Sequence, residues 1–199
     1  MIRTPAALLP YLLAVAAVVA GVLWHAGDHV AGIGRNIESG SASVGSPFSL
    51  IDQSGSVRTD KDFRGRFMLV YFGYSYCPDV CPTTLAVMAN ALDKLGTKRA
   101  RIAPIFISVD PERDRPKVLK DYLNSFAPDF VGLTGSAKAV SEAARAYRVY
   151  FKKHNLPNGG YAVDHSSIIY LMGPDGHFVT YYEETIGPDA LAADLSKRL

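Results

Sequence analysis

The chain has 199 residues, 48% of them hydrophobic and 20% charged, with a formal net charge of +2. That balance excludes a disordered chain, which lacks the apolar residues to offset chain entropy, and leaves room for one ordinary domain with a sizeable core. It also argues against an electrostatic nucleic-acid binder: there is no basic stripe, and the densest cluster, Lys98, Arg99 and Arg101, reads as a solvated helix end.

The first element is Ala6 to Trp24 (AALLPYLLAVAAVVAGVLW), 19 residues without a charge. As a helix this run spans roughly 28 Å, close to the hydrocarbon core of a bilayer, with Trp24 at the interface. Arg3 and the α-amino group precede it, while Asp28, Arg35 and Glu38 follow. The positive-inside rule then places residues 1–5 in the cytoplasm and everything after about residue 25 outside it. A cleaved signal peptide competes, with Ala14-Val15-Ala16 as the cleavage site, but the run continues to Trp24. A signal-peptide core is only about 7–15 residues, so the length favours an uncleaved, single-pass anchor. A lipoprotein is excluded because no cysteine lies near the end of the run. Either surviving reading exports the domain to an oxidising compartment, the periplasm in a bacterium. Residues 1–25 therefore read as a membrane anchor, 26–45 as a Gly/Ser-rich linker and 46–199 as the folded domain.

Within that domain, Phe48–Ile51 and Val57-Arg58 flank the turn Asp52-Gln53-Ser54-Gly55, which predicts a hairpin. Phe67 to Phe72 (FMLVYF) is continuously apolar, as in a strand buried on both faces. Leu85, Met88, Leu92 and Leu95 recur at helical spacing until Gly96. Ile105 to Val109 predicts a second buried strand, with Pro104 at its first residue. Pro116 opens a helix that turns Val118, Leu119, Tyr122, Leu123 and Phe126 inward, and Phe130 to Leu133 is a short strand. Ser136 caps a helix expected to run to about Phe151. Ser166–Met172 and His177–Tyr182 form a hairpin around Gly173-Pro174-Asp175-Gly176, and a last helix starts at Pro188. The pattern predicts an α/β fold: a mixed sheet flanked by helices.

The only two cysteines, Cys77 and Cys81, lie in YFGYSYCPDVCPTTL, each followed by proline. A residue before proline is pushed toward extended backbone, which argues against two thiols stacked on one helix face. The spacing instead predicts a helix with Pro82 as its first residue and Cys81 as its N-cap, where the dipole favours a thiolate at Cys81. A purely structural disulfide closing so short a loop would contribute only about 2 kcal/mol. That leaves redox exchange or a soft metal, Cu(I) or Zn(II), with further ligands needed from elsewhere. Of the five histidines, His25 and His29 sit at the membrane end of the linker, His154 in a polar loop and His177 beside a turn. His165 directly precedes the apolar run Ile168–Leu171. If that strand runs antiparallel to Phe67–Phe72, His165 falls at the sheet edge that carries the cysteines.

YFGYSYCPDVCPTTL, FISVDPERD (Phe106 to Asp114) and DHSS (Asp164 to Ser167), in this order, closely resemble the Sco/SenC family, from about Ser46 to the C-terminus. The resemblance implies a thioredoxin-like fold on a membrane tether and one copper ion, Cu(I) and also Cu(II), held by Cys77, Cys81 and His165. It implies delivery of copper to the CuA site in subunit II of cytochrome c oxidase, or reduction of that site's cysteines. A copper donor and a thiol reductant would be partners. Tyr76 before Cys77 and Thr83-Thr84 after Cys81-Pro82 depart from many relatives, without removing a ligand. Disulfide-exchanging thioredoxins usually place two residues between the cysteines and a proline near Val163-Asp164; this chain has three and none, which favours a copper site. The alternative is a thiol–disulfide oxidoreductase or redox sensor acting on exported partners through Cys77 and Cys81 alone. A peroxidase ranks below both. Asp79, between the cysteines, and Asp110, at the same rim, are expected to tune the site or dock a partner; Asp114 reads as a helix cap, and Tyr71, Tyr74 and Tyr76 as packing.

Overall fold

The strands expected from apolar runs assemble into one sheet in the computed structural model, which describes residues 44–45, 47–157 and 159–199. The expected anchor and the linker up to residue 43 lie outside the described residues, among which no helix is long and apolar enough to cross a membrane. Strands β1 (Ser49–Asp52) and β2 (Val57–Thr59) form the first hairpin. Its turn is held by the Asp52 carboxylate, which accepts the N–H groups of Ser54 (2.8 Å) and Ser56 (3.0 Å). Strand β3 (Phe67–Gly73) is buried at every position after Phe67, and β4 (Ile102–Ser108) at every position. They pair in parallel from Phe67↔Ile102 to Gly73↔Ser108, and β5 (Val131–Thr134) adds in parallel to β4. Strands β8 (Ile168–Met172) and β9 (Phe178–Glu183) close the other side, each antiparallel to its neighbour. The order is β2-β1-β5-β4-β3-β8-β9. Continuous apolar sequence at the centre is what parallel strands covered on both faces require.

Helix α1 (Val80–Lys94) follows β3 and buries Leu85, Met88 and Leu92; α2 (Pro116–Leu123) lies against β5 through Leu119 and Leu123. Helix α3 (Ala137–Ala146) starts at Ser136, whose hydroxyl accepts the Ala139 N–H at 3.1 Å, as the sequence predicts. Helix α4 (Pro188–Arg198) packs on α1. The core joins Tyr71, Phe72, Phe106, Phe130 and Tyr147, all fully buried. Each such ring contributes on the order of 2–3 kcal/mol of burial free energy, so the framework that holds the cysteine loop does not depend on a staple.

Three expectations need correction. Strand β4 begins three residues before Ile105, so Pro104 is interior rather than first. It is tolerated because pairing with β5 begins only at Ile105, leaving one side of Pro104 unpaired. Helix α3 stops at Ala146 instead of running to Phe151, because Arg148 takes a left-handed φ of 58° that no helix continues. The segment read as a polar loop around His154 is in fact a hairpin: β6 (Phe151–Asn155) pairs antiparallel with β7 (Tyr161–His165) as a separate two-stranded sheet. The basic cluster Lys98, Arg99 and Arg101 lies on a 3-10 turn after α1, where Arg99 is paired with Asp93 and Asp129.

Candidate metal centre

Gly73 ends β3, and the loop Tyr74–Asp79 carries the chain to α1. Asp79 is the N-cap, and Val80, Cys81 and Pro82 form the first turn, so Cys81 is inside the helix rather than at its cap. The preference of a pre-proline residue for extended backbone is overridden here, and Pro82 is accommodated because first-turn N–H groups have no intrahelical partner to lose. Cys81 is fully buried and Cys77 half-buried, both as free thiols. The Cys81 N–H, one of those spare donors, points to Cys77 Sγ at 3.4 Å. Behind Cys81 the packing leaves no space: a Cβ built on Gly73 would sit 2.9 Å from Cys81 Sγ and 2.9 Å from the Phe106 ring.

His165 arrives from the far end of the sequence. It is the last residue of β7, separated by Ser166 and Ser167 from β8, which runs antiparallel to β3 with Tyr71 opposite Ile169. The sheet edge on which the sequence argument rests is therefore real. His165 Nε2 lies 3.2 Å from Cys81 Sγ. Its Nδ1 lies 3.2 Å from the Ser166 carbonyl, which can only accept; Nδ1 thus carries the proton and Nε2 presents its lone pair to the sulfurs. Tyr71 and Tyr74 set their rings edge-on to the imidazole, with centroids 6.2 and 5.9 Å away. The donor atoms of Cys77, Cys81 and His165 all lie within 4.8 Å of one another, a span that a single ion can bridge.

The electrostatics reverse one expectation. Cys77, not Cys81, carries the thiolate. The Cys81 thiol hydrogen bond, outweighing burial and aided by the N–H groups of Asp79 and Cys81, holds Cys77 down at about 3. Cys81 is pushed up, first by donating to Cys77 and then by its burial. The helix N-terminus does favour a thiolate, but its free N–H is aimed at the sulfur outside the helix. Two sulfurs sharing one proton beside an imidazole lone pair form a soft, electron-rich pocket suited to Cu(I) or Zn(II).

A family model described as SCO1/SenC matches residues 37–199. The chain belongs to this family. It is 40% identical over 168 residues to the human "Protein SCO1 homolog, mitochondrial", covering 83% of this chain and 56% of that one. The chain spans about half the length of the curated Arabidopsis and human relatives. The solved structure of Bradyrhizobium japonicum ScoI with copper bound matches with a TM-score of 0.74 and 44% identity, over 79% of this chain and 100% of that one. BsSco, described as having a disulfide switch and as "a member of the Sco family of cytochrome c oxidase assembly proteins", matches with a TM-score of 0.61 and 29% identity, over 78% and 92%. The fold is thioredoxin-like, as the motifs imply, with the mixed sheet flanked by helices.

Placed on this family fold, the remaining site residues separate. Asp79 is exposed at the start of α1 and caps it without a side-chain bond. Asp110 is buried, pairs with Arg113 and accepts the Tyr161 hydroxyl at 2.8 Å. Asp114 is no helix cap; Arg115 holds that position. Its buried carboxylate accepts the Ser75 N–H (3.0 Å) and the hydroxyls of Ser75 and Ser108, tying the cysteine loop to the end of β4. Burial pushes Asp114 up, against these donors. His154 faces Asp164 at 3.2 Å and His177 sits exposed in its turn, both apart from the cysteines, while His25 and His29 lie outside the described residues. Sequence reasoning missed Gly73 and Arg113. The first could be found as a glycine closing a strand against a cysteine loop; the second shows nothing in sequence beyond its place in DPERD.

Proposed function

We propose that this chain is a membrane-tethered copper carrier that holds one copper ion through Cys77, Cys81 and His165 and serves the CuA site in subunit II of cytochrome c oxidase. The single observation that carries the reading is the convergence of two sulfurs and one imidazole lone pair, from positions 77, 81 and 165, within 4.8 Å. Copper is cargo in this reading, and the donor set suits it: two soft sulfurs and one imidazole favour Cu(I) and tolerate Cu(II). Three ligands leave the ion partly open to an incoming donor. Cys77, half-buried at the rim, is the ligand a partner reaches first, while Cys81, enclosed by Gly73 and Phe106, releases last. The tether is the charge-free run 6–24, with the domain on the side opposite residues 1–5. Oxidation to a disulfide abolishes the ligand pair, so loading needs a thiol reductant as well as a copper donor.

A second reading is favoured by the depressed Cys77 thiol. As a reductase, the Cys77 thiolate attacks a partner disulfide and expels one partner thiolate. Cys81, on losing its proton, then attacks Cys77 Sγ, releasing the second partner thiolate and leaving a Cys77–Cys81 disulfide; two electrons pass to the partner. Anaerobic Cu(I) titration of the reduced protein separates the two. The copper reading expects one tight site per chain, lost in Cys77→Ser and clearly weakened in His165→Ala. Binding indifferent to His165→Ala, together with full disulfide reductase activity in that variant, would replace it with the reductase.

A further inference from the structure

His165 rides on a hairpin that belongs to neither edge of the main sheet: β6 and β7 pair only with each other among the described strands. Beneath it lies a cleft of about 110 Å³ lined by Val109, Pro111, Val140, Phe151 and Val163. Something other than sheet hydrogen bonds must therefore hold this hairpin at the cysteines. Arg113, from the loop after β4, occupies the seam. Its guanidinium lies 3.8 Å over the Tyr161 ring at the start of β7 and 4.8 Å from the ring of Tyr76, the residue before Cys77. The Tyr74 ring, which abuts His165, is 5.6 Å away. Arg113 Nη1 donates to the Tyr161 carbonyl at 3.0 Å and Nε donates to Asp110, which also accepts the Tyr161 hydroxyl. One cation thus touches the hairpin, the cysteine loop and the loop after β4.

We propose that Arg113 is a positioning residue: clamped between Tyr76 and Tyr161, it latches the β6–β7 hairpin to the cysteine loop and so sets His165 within reach of the two sulfurs. A planar guanidinium fits this role because it stacks on two rings while its edge donates to a carbonyl and a carboxylate; a lysine keeps the charge but not the fork. The copper consequence rests on the Cys77–Cys81–His165 reading above, whereas the latch itself is readable without metal.

The test is amide hydrogen exchange on the reduced, copper-free full-length protein. In Arg113→Ala and Arg113→Lys the β7 amides from Val163 to His165 are expected to exchange roughly tenfold faster, while those of β3 and β4 keep their wild-type rates. If Arg113→Ala fails to fold, Tyr76→Ala, which removes an exposed wall of the clamp, is expected to give the same local acceleration. Unchanged β7 exchange overturns the latch, and so does acceleration of β3 and β4 by the same factor, which would mark a general structural role. With Cu(I), affinity in Arg113→Ala is expected to fall toward that of His165→Ala, and the double variant to bind no more weakly than His165→Ala alone. Fully additive losses overturn the link from Arg113 to His165. A wild-type chain whose copper binding ignores His165→Ala defeats the ligand reading instead, and leaves the exchange result to judge the latch.

Discussion

At Gly73 the cost of a single methyl group can be read from distances. An alanine Cβ there would lie 2.9 Å from both Cys81 Sγ and the Phe106 ring, neither of which has room to move. Gly73→Ala should therefore destabilise the domain by about 1–3 kcal/mol and displace the sulfur. Urea unfolding measures the first effect and Cu(I) affinity, expected to fall, the second; an unchanged affinity would mean Cys81 has slack that the packing denies. Cys77 makes a separate prediction. Its thiol titrates at about 3 rather than the ordinary 9.0, so it is a thiolate throughout the neutral and mildly acidic range. Iodoacetamide should label Cys77 at pH 5 while sparing the enclosed Cys81, as read by peptide mass mapping. Because the folded value is depressed, the stability this thiol contributes is complete above the unfolded value. It diminishes as pH falls and is gone below about 3.

Elements differ in how openly the sequence displays them. The strands β3, β4 and β8 are apolar runs because both of their faces are covered, and the helices α1 and α3 show apolar spacing and a Ser136 cap, so the sheet and its flanking helices were readable. Strand β6 was not. Phe-Lys-Lys-His-Asn is exposed along nearly its whole length and carries no alternation, since only Phe151 packs against the core and the other four residues are held by pairing with β7. That gap mattered for the site, because β7 delivers His165; the residue was found from the strand after it. The β1–β2 turn is the opposite case, a short element whose sequence states its own chemistry. Burial pushes the Asp52 carboxyl up, but the Ser54 hydroxyl, Arg58 and the N–H groups of Ser56 and Ser54 outweigh it and hold it near 2. A depressed carboxyl contributes stability above its unfolded value of 3.8, lost as pH falls through about 2. Asp52→Asn should therefore cost about 2 kcal/mol at pH 7, an effect that shrinks between pH 4 and pH 2. Paired urea titrations at pH 7, 4 and 2.5 follow it; a difference that stays constant with pH would assign the loss to turn geometry rather than charge.

At the scale of the whole molecule, the question is whether the metal helps to build the fold or only visits it. Small metal-dependent domains collapse without their ion because the ligands themselves form the core. Here the order is reversed. Tyr71, Phe72, Phe106 and Phe130 close the core, and of the three donors only Cys81 is buried within it; Cys77 and His165 are half-buried at its rim, where β3 ends and β8 begins. Asp114 and the Gly73–Cys81 contact hold the cysteine loop through protein atoms alone. The copper-free reduced protein should therefore unfold cooperatively, and Cys77→Ala with Cys81→Ala should leave a folded domain, weakened only by the lost packing at position 81. Copper should then act by mass action alone, raising unfolding free energy by about 4 kcal/mol when free copper exceeds its dissociation constant a thousandfold. That increment should vanish in the double alanine variant and shrink in His165→Ala. Scanning calorimetry with buffered Cu(I) decides it. A copper-free protein lacking a cooperative transition would make the ion part of the architecture, and a cargo that the fold requires cannot be handed on.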